Sequence, residues 1–136
     1  MDTQNITGKT KTAGFQIGVR RTFPISQQEA WGLVTSKECL SLWLGNHEEL
    51  RLQQGEGYSA ETGSGEIRVV KMQEQLRLTW KKDGWEKAST VQFRILPKEN
   101  GKTVISFHQE NLADERAREE MKELWESVAE WIGSQG

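Results

Sequence analysis

Between residues 57 and 110 the chain is broken up by Thr62-Gly63-Ser64-Gly65, Asp83-Gly84 and Asn100-Gly101. Asp-Gly and Asn-Gly tolerate positive φ at both positions, so each predicts a reversal between neighbouring strands. The segments around these turns alternate apolar and polar residues. His47 to Leu52, Gly57 to Ala60, Glu66 to Met72, Leu76 to Lys81, Trp85 to Leu96 and Thr103 to Glu110 read as six strands. Short connections force antiparallel neighbours, which makes the central chain a meander. An antiparallel sheet with one apolar face needs something to cover that face.

The cover comes from Ala113 to Ile132. Ala117, Met121, Leu124, Trp125, Val128 and Ile132 recur at spacings of three and four, with Glu119, Lys122, Glu123 and Glu126 on the other face. No other segment is a helix of that length. Ahead of the meander, Phe15, Ile17, Val19 and Phe23 alternate in a strand that Pro24 ends. Ser26-Gln27-Gln28-Glu29 then forms a capping box, in which hydroxyl and carboxylate satisfy each other's backbone amides. Ala30, Leu33 and Val34 share the inner face of the helix it starts, with Trp31 at the border. Ser36 caps a second short helix through Cys39, Leu40 and Trp43, closed by Gly45. The predicted fold is α+β: a curved antiparallel sheet of about seven strands gripping a long C-terminal helix, with two short helices after the first strand. Residues 1–14 are polar and aperiodic and read as a flexible tail, leaving one domain over residues 15–133.

At 136 residues the chain is long enough for one sizeable core. Its 18 Lys plus Arg against 20 Asp plus Glu leave a net charge of -2, with no general attraction to nucleic acid or an anionic membrane. A single cysteine, Cys39, excludes an internal disulfide and suits a reducing compartment. No signal-peptide pattern or membrane span is apparent, and the expected setting is the cytoplasm. Six tryptophans are many for this length, and such side chains fill cores or line pockets.

A resemblance follows from particular residues. The strand leading into Phe23-Pro24-Ile25-Ser26, then Glu29-Ala30-Trp31, Leu42-Trp43, Arg77-Leu78-Thr79-Trp80, Gly101-Lys102-Thr103-Val104-Ile105 and Trp125 occur in an order and spacing similar to one family. The chain resembles bacterial single-domain homologues of the heat-shock protein 90 ATPase activator, within the START-like or helix-grip superfamily. The similarity runs from about Phe15 to Ile132. It departs at Ile25-Ser26, where members often have Ala-Pro, and at His108-Gln109, where members often have a histidine near the end of the last strand. The separate N-terminal domain of the eukaryotic cochaperone has no counterpart in these 136 residues. The resemblance implies a helix-grip fold, a cavity for small hydrophobic molecules, a place in stress responses and a chaperone as the implied protein partner.

A sheet curled around one helix can leave unfilled space between them. The residues placed to line it are Trp43, Trp80, Phe93, Ile95, Ile105, Phe107 and Gln109, opposite Met121, Leu124, Trp125 and Val128. The same residues could equally interlock as plain core. Alternation from Ile105 and Phe107 aims Gln109 inward and His108 outward. His47-Glu48-Glu49 lacks the spacing of a metal site, because consecutive strand residues face opposite ways. No catalytic set, metal or cofactor is expected. The basic residues Arg68, Lys71, Arg77, Lys81, Lys82 and Lys87 read as a solubilising sheet face. The expectation is a monomer that binds a small aromatic or lipid-like molecule. A cyclase-like enzyme using Gln109, His108 or Tyr58 and a chaperone adaptor are the alternatives.

Overall fold

In a computed structural model, which describes residues 9–10 and 14–135, the alternating segments pair into one antiparallel sheet. The elements are β1 (Lys9–Thr10), β2 (Gly14–Phe23), α1 (Gln27–Val34), α2 (Lys37–Leu44), β3 (Gly57–Ala60), β4 (Gly63–Lys71), β5 (Gln75–Lys82), β6 (Ser89–Pro97), β7 (Thr103–Leu112) and α3 (Glu115–Gln135). The spatial order is β1-β2-β7-β6-β5-β4-β3. The meander from β3 to β7 therefore ends against β2, whose Phe23 pairs with Thr103 and Phe15 with Leu112. Bulges between Phe15 and Ile17 and between Ile67 and Val69 bend the two sides of the sheet.

α3 packs on β2 and β7, and α2 packs on α3. Its inner face buries Ala117, Met121, Trp125, Val128, Ala129 and Ile132. The opposing sheet positions alternate as the period of a strand requires: Leu76, Leu78 and Trp80 on β5, Val91, Phe93 and Ile95 on β6, Ile105, Phe107 and Gln109 on β7 are all buried. The capping box is formed. Glu29 N donates to Ser26 Oγ at 3.0 Å and Ser26 N donates to Glu29 Oε1 at 2.9 Å. Hydrogen bonding from the Ser26 backbone N–H first, and from its hydroxyl second, holds the Glu29 carboxyl below its ordinary pKa. Asp114 caps α3 by accepting from Ala117 N at 2.8 Å. No helix among the described residues is long and apolar enough to cross a membrane.

Several expectations are corrected, among them the strand expected from Trp85, which begins at Ser89. His47 to Leu52 is not a strand: it makes one isolated bridge, His47 to Ala60. The only edge it could extend, β3, has four residues, and His47 Nδ1 turns back to Gly45 O at 2.9 Å. Leu50 and Leu52 pack against the core without a ladder. The seventh strand is instead β1, whose Lys9 and Thr10 pair with Phe15 and Gly14. It lies inside the segment read as a tail; residues 1–8 and 11–13 lie outside the described residues.

β4 begins at Gly63 rather than Glu66. A Cβ at Gly65 would run into the Thr79 carbonyl and come within 2.8 Å of the Tyr58 hydroxyl, and one at Gly63 would reach 2.9 Å from Trp80 Nε1. The backbone of β5, at the Lys81 and Thr79 carbonyls, together with Trp80 and Tyr58, thus occupies the room of the missing side chains, and the glycines belong to the sheet rather than to a turn. At Gly32, in α1, an added methyl would meet nothing within 4 Å. Gly65→Ala is expected to lower unfolding free energy by about 1–3 kcal/mol through overpacking. Gly32→Ala is expected to raise it by about 0.5–1 kcal/mol. Urea unfolding of both variants checks the opposite signs.

Candidate ligand-binding site

Trp43 reaches the interior from α2 and meets rings from three directions. Its centroid lies 5.0 Å from Trp80 on β5, 5.3 Å from Trp125 on α3 and 5.9 Å from Phe93 on β6, with interplanar angles of 60° to 78°. Phe93 continues to Phe107 at 5.6 Å and to Trp125 at 5.7 Å, and Phe107 stacks on Trp125 at 17°. At the other end Trp80 lies 5.9 Å from Trp85. Edge-to-face pairs of this kind add about 0.5–1.5 kcal/mol each beyond the area they bury. Six rings thus run in contact from the helix side of the sheet to the loop after β5.

One polar chain threads the cluster. Trp125 Nε1 donates to Gln109 Oε1 at 2.8 Å, Gln109 Nε2 donates to Ser89 Oγ at 2.9 Å, and Ser89 Oγ donates to the Trp80 carbonyl at 2.8 Å. Gln109 and Ser89 are fully buried, so every link of this chain lies out of water. The other two indoles of the cluster's centre differ. The Nε1 atoms of Trp43 and Trp80 are buried with no acceptor among the described residues.

Of the residues expected to line a cavity, Trp43, Trp80, Phe93, Ile95, Ile105, Phe107, Gln109, Met121, Trp125 and Val128 are buried and face the sheet–helix interior. Leu124 is half-buried at the flank of α3 and packs against the same core. The structure brings the aromatic members into mutual contact. Two clefts, of about 580 and 830 Å³, lie elsewhere, and none of the eleven residues lines either. The smaller is polar and sits on the outer face, between the Gln54-Gly55 loop and Arg68, Arg77, Thr79 and Thr90. The larger opens where the sheet end meets the start of α3, with Trp85, Leu112 and Ala117 as apolar wall and Lys87, Asn111 and Arg116 among its polar residues. Because Trp85 also touches Trp80, this cleft abuts the buried cluster.

His108 points outward to Gln16 Oε1 at 3.0 Å. Tyr58 donates to Thr79 O at 2.6 Å, and burial pushes its phenol pKa up. Burial also pushes the Cys39 thiol up to about 12, so it is a packed apolar residue rather than a nucleophile at neutral pH. Among the described residues no three His, Cys, Asp or Glu side chains are placed to hold a metal ion. Ser89 and Trp85 fall within the expected strand Trp85 to Leu96 but were not expected in the site, since neither sits in a motif. Ser89 opens β6 opposite Trp80, a register visible only once the strands are paired.

The profile of the family described as Activator of Hsp90 ATPase homolog 1-like protein matches residues 24–133. The chain belongs to this family. Its fold is the helix grip of the START-like superfamily, shared with solved structures of low identity. CalU16 from Micromonospora echinospora is 21% identical, with a TM-score of 0.74 over 93% of this chain and 78% of that one. Protein MLL2253 from Mesorhizobium loti is 20% identical, with a TM-score of 0.73 over 88% of this chain and 94% of that one. An HSP90 activator from Plasmodium falciparum is 18% identical, with a TM-score of 0.63 over 73% and 74%. No curated protein matches the sequence.

Replacing Gln109 by Leu would strand the Trp125 N–H in the core, at an expected cost of about 1–3 kcal/mol. Adding Trp125→Phe removes the stranded donor. The two changes are therefore expected to be non-additive in urea unfolding, and strict additivity would contradict the hydrogen-bonded chain.

Proposed function

We propose that this protein binds a small hydrophobic molecule, aromatic or lipid-like, between its sheet and C-terminal helix. The observation that carries this reading is the contact between cleft and cluster: Trp85 lines the 830 Å³ opening and rests on Trp80. A ligand seated on Trp85, Leu112 and Ala117 lies one ring from Trp80 and, through Trp80, next to Trp43. Apolar pockets with a few polar groups are the usual form of small-molecule sites, and Gln109 with Ser89 supplies such groups here. The ring cluster fills the interior, so binding begins at the cleft and spreads inward as rings part.

The setting proposed is a cytoplasmic monomer. Leu42 and Met72 are the large apolar side chains exposed among the described residues, and they sit on different elements, which supports solubility without a partner subunit. A role in stress responses and a chaperone partner form the second reading. It is favoured by the family description alone, and it predicts a stoichiometric complex and a changed chaperone ATPase rate.

The binding reading is tested by amide NMR during titration with fatty acids, sterols and flavonoids. Shifts are expected at Trp85, Leu112 and Ala117 and onward to Trp80 and Phe107, and Trp85→Ala is expected to weaken binding at least severalfold. A panel that leaves these resonances still, or moves only the outer-face residues, would overturn it and leave the chaperone assay to decide the second reading.

A further inference from the structure

We infer that the molecule taken by this site is flat and carries a hydrogen-bond acceptor, a carbonyl or phenolic oxygen, which receives the indole N–H groups of Trp43 and Trp80. The inference rests on the binding reading above and narrows its ligand class. Buried polar groups in folded proteins are nearly always paired, because a donor without an acceptor loses its water and gains nothing. This core obeys that rule elsewhere. Ser89 and Gln109 bond each other, Thr103 donates to Ile25 O at 2.7 Å, and Trp125 has Gln109. Only Trp43 Nε1 and Trp80 Nε1 are unpaired among the buried side-chain polar atoms of the described residues.

The two exceptions are neighbours. Their rings lie 5.0 Å apart in a T-shaped pair, with Trp43 2% exposed and Trp80 wholly enclosed. The N–H edge of Trp80 faces the bare backbone at Gly63, where a Cβ would come within 2.9 Å. An N–H directed at a neighbouring ring is a weak compensation and does not replace an oxygen. Phenylalanine at either position would keep an aromatic ring and avoid the orphan donor. Two unpaired donors on neighbouring buried rings, one of them in contact with Trp85 at the cleft, match a flat apolar ligand with a strong acceptor. A saturated hydrocarbon chain without an oxygen in its body would leave both donors as they are.

The test compares fluorene with 9-fluorenone, which share a tricyclic skeleton and differ by one carbonyl oxygen. Affinities are measured by tryptophan fluorescence at matched free concentration, and the indole Hε1 resonances are followed by NMR. Fluorenone is expected to bind about tenfold tighter, with the Trp43 and Trp80 Hε1 signals moving downfield and Trp125 Hε1 holding still. Trp80→Phe should shrink the fluorenone advantage without abolishing fluorene binding. Trp43→Phe gives the same reading should Trp80→Phe fail to fold. Equal affinity with both Hε1 signals unmoved would overturn the acceptor inference while the binding reading stands. Binding of neither compound would overturn both.

Discussion

The edge-to-face contacts of Trp43 hold the architecture together. A short helix of eight residues, α2, has little stability of its own, and its place is set by driving one indole between β5, β6 and α3. The N-cap at Ser36 and the positive φ of 70° at Gly45 bracket that helix, so the indole enters at a defined angle. Gly45 has no room for a side chain, since a Cβ would come within 2.6 Å of Glu61 Oε1, the atom that accepts from Asn46 N. Thr62 completes the tie by donating to the Trp43 carbonyl at 2.8 Å. Helix, β3–β4 turn and ring cluster are therefore one mechanical unit.

Periodicity makes most of this fold legible in the sequence. The i, i+3, i+4 stripe of α3 and the alternation through Leu76, Leu78, Trp80 and Val91, Phe93, Ile95 reflect burial on one face, which leaves a strong mark in sequence. The capping box at Ser26 and the helix-ending Gly45 were equally plain, because each involves a short local pattern. His47 to Leu52 misled because half-buried leucines at alternate positions arise whenever a loop lies on a core, with or without a ladder. Gly63 and Gly65 misled in the opposite sense. Glycine usually signals a turn, and here it marks strand positions crowded by the Lys81 and Thr79 carbonyls of β5, with Trp80 and Tyr58 beside them. That contact depends on register, which no local pattern encodes.

The candidate site was legible as a set of inward residues and illegible as a space. Volume between a sheet and a helix depends on rotamers and on how rings interlock, so the aromatic inventory could not tell cavity from core. The cleft at the sheet end is formed by residues from β2, the β5–β6 loop, β7 and α3, which are far apart in sequence. Trp85 links it to the ring cluster through Trp80. The polar chain through Trp125, Gln109 and Ser89 shows how the same fold satisfies a buried amide, whereas Trp43 and Trp80 leave their donors free.

Local opening of the cluster beside Trp85 is the central claim, and indole hydrogen exchange measures it most directly. Exchange at the Hε1 sites of Trp43, Trp80 and Trp125 would be followed in the free protein across low urea concentrations. The account predicts that Trp80 and Trp43 exchange through a local opening, faster than Trp125 and with little dependence on urea. Exchange of all three together, at the rate and urea dependence of global unfolding, would contradict it and make the aromatic cluster an inert core.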